Sequence, residues 1–240
     1  MKITTTIFCV MAAVFSAIGS AQADENDVRQ ALAIKYPGTP IKAIETTPIP
    51  GLYQMVMGKN LVYVAEGGRY FLFGSLYDMQ TQTDLSANKR EQANRIDIST
   101  IPLKNAIVTV KGSGERKLIV FTDPDCPYCK RLAQTLDAMT DITVYNILYP
   151  IEGLHPDAAR KSQAIYCARE QDRERILNDW FVKAVPVPTS KPCSNPTSEN
   201  VALAASLGLN GTPMIISMDG RILPGAAERA QIEEFLAQRQ

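Results

Sequence analysis

The chain has 240 residues, 45% of them hydrophobic and 21% charged, which is the balance of a globular protein and excludes a disordered or fibrous one. Its 25 basic and 25 acidic residues cancel, which argues against a nucleic-acid partner, because such binders carry a basic surplus. One histidine, His155, is too few for a histidine-rich metal site, so the five cysteines become the informative residues.

Residues 1–23 read as a secretory signal peptide. Lys2 supplies a positive start, an apolar run follows from Ile7 to Ile18, and Ala21-Gln22-Ala23 has the small-x-small form of a cleavage site. The run is shorter than the roughly 20 apolar residues that span a bilayer. Cleavage after Ala23 would remove Cys9 and leave Cys126, Cys129, Cys167 and Cys193. An even number of cysteines in an exported chain points to disulfides, with three pairings open.

The spacing of Val28, Leu32 and Ile34 predicts a helix over 24–35, stopped by Tyr36-Pro37-Gly38. Short β-rich runs follow at 41–47, 52–57, 61–65 and 70–73, separated by Gly, Pro and Asn, the pattern of hairpins. This unit, 24–84, is only about 60 residues and is marginal alone; it either pairs with a second copy or packs on the rest of the chain. Met55, Met57 and Met79 fit a core or an adaptable binding cleft. The polar stretch 85–98, without Gly or Pro, predicts an exposed connecting helix in a linker that ends at Pro102.

From 103 to 240 the pattern changes to alternating strands and helices. A strand is expected at 106–110, a buried strand at 117–122, a helix at 127–139 and another buried strand at 142–148, which makes a βαβ unit. Helices are expected near 158–169, 174–185 and 199–207, then a strand at 213–218 and a last helix at 227–238. Trp180 and Phe181 read as core, and His155 as a surface-loop residue.

Cys126-Pro127-Tyr128-Cys129 stands directly between a buried strand and a helix. Cys126 at the N-cap and Pro127 at the first helical position suit both residues, and Cys129 falls three positions on, over the same face. The free N–H groups and positive dipole end of the first turn favour a thiolate at Cys126. Cys126 is therefore the candidate nucleophile and Cys129 the candidate resolving thiol. Tyr128 brings no positive charge, so a weaker oxidant is expected than with histidine there. A zinc site would need another close ligand pair, which the sequence lacks, and no cofactor is expected. Gly211-Thr212-Pro213 before the apolar run Met-Ile-Ile-Ser would alone be a plain turn.

Taken together, FTDPDCPYCKRL, QAIYCARE, the cysteine at 193, GLNGTP and EEFLAQ, in that order, resemble the thioredoxin superfamily and, more closely, the periplasmic DsbC/DsbG family of thiol:disulfide interchange proteins. The resemblance implies an α+β small-β dimerisation domain, a linker helix and an α/β thioredoxin-like domain with a helical insertion. It implies catalysis by Cys126 and Cys129, substrate contacts at Pro127, Tyr128, Thr212 and Pro213, a cis bond before Pro213, and a structural disulfide between Cys167 and Cys193. That bridge would close a loop of about 27 residues, contributing roughly 3.5 kcal/mol. The family's partners are unfolded or misoxidised exported proteins and a membrane thiol reductase of the DsbD type; its form is a homodimer and its compartment the periplasm. Pro-Tyr between the cysteines leans to DsbG, linked to sulfenylated cysteines, whereas chain length leans to DsbC. A holdase chaperone is the alternative outside enzyme chemistry.

Overall fold

A computed structural model describes residues 24–238, which fall into two compact units divided between Ser86 and Ala87. The predicted signal peptide lies outside the described residues.

In the first unit, α1 (Glu25–Lys35) begins where the Asp24 carboxylate accepts the N–H groups of Asn26 and Asp27, while Asp27 reaches back to the N–H of Asp24. Its buried face, Val28 and Leu32, packs on a four-stranded antiparallel sheet of β1 (Ile41–Thr46), β2 (Leu52–Met57), β3 (Asn60–Ala65) and β4 (Phe71–Leu72). Tyr53, Met55, Val62 and Val64 fill the space between helix and sheet. Gly68 adopts φ +67°, and a Cβ there would press on the Leu32 side chain, so only glycine makes this turn under the helix. A two-stranded ribbon, β5 (Tyr77–Asp78) and β6 (Thr83–Asp84), was not expected from the sequence; at two residues each its strands carry no readable alternation. Met55 is core, Met57 is half-buried and Met79 is 80% exposed, so Met79 belongs to neither a core nor a cleft.

The second unit opens with α2 (Ala87–Asn94), which buries no residue, as its polar sequence predicts. The helix is shorter than expected. Beyond it the chain is anchored: Ile96 and Ile101 are buried against the sheet of this unit, and the Ile96 N–H donates to the Gly220 carbonyl at 2.8 Å.

That sheet has the order β11-β10-β8-β9-β7, from β7 (Ile107–Lys111), β8 (Arg116–Thr122), β9 (Ile142–Leu148), β10 (Met214–Ser217) and β11 (Ile222–Pro224). β8 and β9 are parallel, joined by α3 (Pro127–Asp137); the other pairs are antiparallel. The apolar continuity of β8 has a direct cause. Leu118 and Val120 face α3 and α7 (Arg229–Ala237), while Ile119 and Phe121 face the other layer, where Ala204 of α6 (Thr197–Ser206) and Leu209 pack. The helical insertion is α4 (Ala158–Tyr166) and α5 (Glu170–Lys183), whose Ile165, Tyr166, Leu177 and Phe181 close a third core around Cys126 and Cys129. α5 starts four residues earlier than expected, with Glu170 and Asp172 in its first turn where the helix dipole favours them. β11, only three residues long, was missed for the same reason as the ribbon.

Candidate active site

β8 runs out at Thr122, and the chain turns through Asp123-Pro124-Asp125 into α3. Cys126 is the N-cap residue with extended backbone (φ −73°, ψ 120°), Pro127 follows at the first helical position, and Cys129 lies one turn in. Both thiols are free. Cys126 is 5% exposed and Cys129 1%, whereas Pro127 and Tyr128 are on the surface. The Arg131 guanidinium lies 5.4 Å from the Tyr128 ring centroid, so the position without a charge of its own has a cation beside it.

The second predicted segment arrives through sheet pairing. β10 lies antiparallel to β8 with Met214 opposite Phe121, which brings the residues just before β10 to the end of β8 where the cysteines stand. The Thr212–Pro213 bond is cis, and the Cys126 Sγ lies 3.4 Å from the Thr212 carbonyl oxygen. The remaining pair, Cys167 and Cys193, forms a disulfide with Cα atoms 5.7 Å apart, tying the end of α4 to the proline-containing loop before α6.

The two thiols are driven in opposite directions. Hydrogen bonding from the Cys129 thiol is the largest cause holding Cys126 down at about 5, opposed by partial burial and helped by Thr212 and by the Cys129 and Tyr128 N–H groups. Burial, then the same bond in which Cys129 is the donor, pushes Cys129 far up. At neutral pH the site can therefore hold a thiolate at Cys126 beside a protonated Cys129.

Sequence reasoning missed three supports. Asp123 is fully buried. Its N–H donates to Cys129 Sγ at 3.3 Å and its carbonyl accepts the Cys126 N–H at 3.2 Å. Its carboxylate accepts the N–H groups of Asp125 and Ile151, each at 2.8 Å, and meets His155 Nδ1 at 2.9 Å. His155 is thus half-buried and paired, which corrects the surface-loop reading; the turn Leu154–His155 folds back on the Ile151 carbonyl and puts the ring there. The third support is Trp180, whose Nε1–H donates to the Pro124 carbonyl at 2.6 Å, while the Lys161 ammonium covers its ring and bonds Asp125. An acidic residue at the exit of an apolar strand, three before a cysteine, was the available signal for Asp123. Among the described residues no group of three metal-binding side chains is assembled, and no helix is long and apolar enough to cross a membrane.

Residues 103–240 match the thioredoxin-like domain, and residues 19–87 match the disulfide bond isomerase protein N-terminal domain. Over 220 residues, 90% of this chain and 77% of the other, the sequence is 36% identical to the probable thiol:disulfide interchange protein DsbC of Bordetella pertussis. The chain belongs to the DsbC family of thiol:disulfide interchange proteins. Thiol:disulfide interchange protein DsbC of Escherichia coli K12 is 28% identical over 243 residues, 100% of this chain and 98% of that one. A crystal structure of a disulfide interchange protein from Neisseria gonorrhoeae, 44% identical, matches 58% of this chain and 99% of its own with a TM-score of 0.55. The DsbC matches therefore extend over the N-terminal unit as well as the thiol-bearing one, and the fold is that of the thioredoxin-like domains.

Proposed function

We propose that this protein is a periplasmic disulfide isomerase and reductase of exported proteins, with Cys126 as nucleophile and Cys129 as resolving thiol. The observation that carries the reading is the Cys126 thiol at the head of α3, held ionisable by the protonated Cys129 and the Thr212 side chain, with the cis Thr212–Pro213 bond alongside. The Cys126 thiolate attacks one sulfur of a wrong disulfide. A Cys126–substrate S–S bond forms, the substrate S–S bond breaks, and the second substrate sulfur leaves as thiolate. If that thiolate attacks another substrate disulfide and the chain of exchange returns to Cys126, the substrate is isomerised without net redox change. If Cys129 loses its proton and attacks Cys126 Sγ, the substrate leaves reduced and the Cys126–Cys129 disulfide forms, to be reduced by a membrane thiol reductase of the DsbD type.

Pro127, Tyr128, Thr212 and Pro213 surround Cys126 and are the residues that would meet a substrate chain; Cys167–Cys193 has the structural role. We read residues 24–84 as a dimerisation domain, 85–102 as the linker and 103–240 as the catalytic domain. The match of the first unit to the isomerase N-terminal domain supports a homodimer. The secretory pattern of residues 1–23 supports the periplasm.

A second reading has its own observation. The first unit has an open apolar cleft of about 260 Å³ lined by Leu32, Tyr36, Ile41, Met57 and Phe73 among others. Such a surface suits apolar segments of unfolded chains and a holdase role. Replacing Cys126 with Ala separates the two. Repair of a scrambled-disulfide protein is expected to fall to background with suppression of aggregation retained; repair that survives the substitution refutes the catalytic reading.

A further inference from the structure

We propose that His155, acting through the buried Asp123 carboxylate, is a positioning residue for the Cys126–Cys129 pair, and that a proton on His155 strengthens the thiolate at Cys126. The inference rests on the thiol-exchange reading above and adds to it a pH dependence of the same site.

Asp123 is the junction. Its main chain touches both cysteines, through the N–H that meets Cys129 Sγ and the carbonyl that takes the Cys126 N–H. Its side chain, wholly out of solvent, reaches in the other direction to the Asp125 and Ile151 N–H groups and to His155 Nδ1. A carboxylate can only accept, so the imidazole presents Nδ1–H to it, and Nε2 takes no part in that bond. The ring keeps a fifth of its side chain in solvent, so protons reach it. His155 is therefore linked by hydrogen bonds, with Asp123 as the single intermediary, to the backbone that holds both sulfurs.

The other charges around the ring are already matched. Asp125 and Asp157 bond the Lys161 ammonium, Asp157 also holds the Arg160 guanidinium, and Glu152 on the same turn is exposed. Asp123 alone among these carboxylates has neutral N–H groups and the imidazole as its partners. Protonation of His155 changes the net charge under the loop by one, in contact with the wholly buried Asp123 side chain, where charge is poorly screened. A cation there favours the negative sulfur. By linkage, the negative sulfur favours the cation equally.

That reciprocity supplies the test, and the sequence makes it clean because His155 is the only histidine. The Cε1–H resonance of untagged wild-type protein is titrated between about pH 5 and pH 8, the range in which an imidazole takes up its proton, once with Cys126–Cys129 oxidised and once reduced. The midpoint is expected to lie higher in the reduced protein, with a proton affinity at least about twofold greater, and Cys126→Ser, which lacks the thiolate, is expected to titrate at the midpoint of the oxidised protein. Coincident midpoints in the two redox states of the wild type would overturn the inference. A second readout is the pH profile of Cys126 alkylation. His155→Gln, which keeps an amide donor for Asp123 without the charge, is expected to change the shape of that profile relative to wild type; an unchanged profile also sinks the proposal. A merely structural bond would move neither. A reduced protein that exchanges no disulfides would instead refute the functional reading, while the His155 midpoints would still decide the coupling.

Discussion

A cysteine whose proton leaves near pH 5 is almost wholly ionised at neutral pH, whereas a free thiol, at about 8.5, is only a few per cent ionised. Alkylation of reduced protein by iodoacetamide should therefore follow a titration centred near pH 5, with Cys126 labelled first and Cys129 resistant. A midpoint at the free-thiol value would contradict the geometry. The same shift is a stability statement. The folded state holds Cys126 below its unfolded value, so ionisation favours folding fully above about pH 8.5 and the benefit fades as pH falls towards 5. Cys129 is shifted up and matters only above the unfolded value, outside that window. Reduced wild type should thus gain stability over reduced Cys126→Ser as pH rises from about 5 to 8, read from urea midpoints. A pH-independent difference would show that the shift is absent.

Elements place these residues by constraint more than by propensity. The N-cap and first turn of α3 are legible because Pro127 suits only a few helical positions, and Cys126 before it is left to open the helix, its carbonyl accepting the Lys130 N–H at 3.1 Å. The β8–β10 pairing then decides what stands opposite. Register puts Met214 across from Phe121, and one residue of slip would carry Thr212 away from Cys126. The turn after β10 is fixed just as closely. Gly220 has φ +87°, and a Cβ there would stand 2.1 Å from the Ile96 carbonyl oxygen, which is main chain and cannot swing aside. Gly220→Ala should cost about 3 kcal/mol, with Ile96 pulled off the sheet, and a chemical denaturation series would measure it. A cost near zero would mean that the contact between Ile96 and the turn is easily given up.

At the scale of the whole molecule, the second unit depends on a covalent link where its structure is irregular. Between α5 and α6 the residues from Val185 to Pro196 form no helix or strand, and Cys193 within that stretch is tied back to Cys167 at the end of α4, closing a loop that contains α5. Replacing both cysteines by Ala should lower stability by roughly 3.5 kcal/mol, the closure entropy of a loop of about 27 residues, and leave the Cys126 alkylation profile unchanged. A changed profile would mean that the link also shapes the site. The first unit is small, with a short sheet and an exposed apolar cleft, so association of two copies would cover surface that one copy leaves open.

The chain's own residues determined the contrast between an N-terminal helix with short hairpin strands and a second unit of alternating strands and helices, because hydrophobic period and turn residues are local signals; the thioredoxin-like reading came from the motif resemblance. They also determined the chemistry, since a C-x-x-C between a buried strand and a helix leaves little choice of role. The tertiary structure alone decided what surrounds that chemistry. The sequence assigned Asp123 no role and read His155 as a surface-loop residue. They meet beneath the cysteines because the loops after β8 and β9 lie side by side once these strands pair in parallel, a contact between distant positions that no local pattern encodes. Short strands such as β5, β6 and β11 were invisible for the same physical reason: two or three residues acquire their extended form from the neighbour they bond, not from their own sequence.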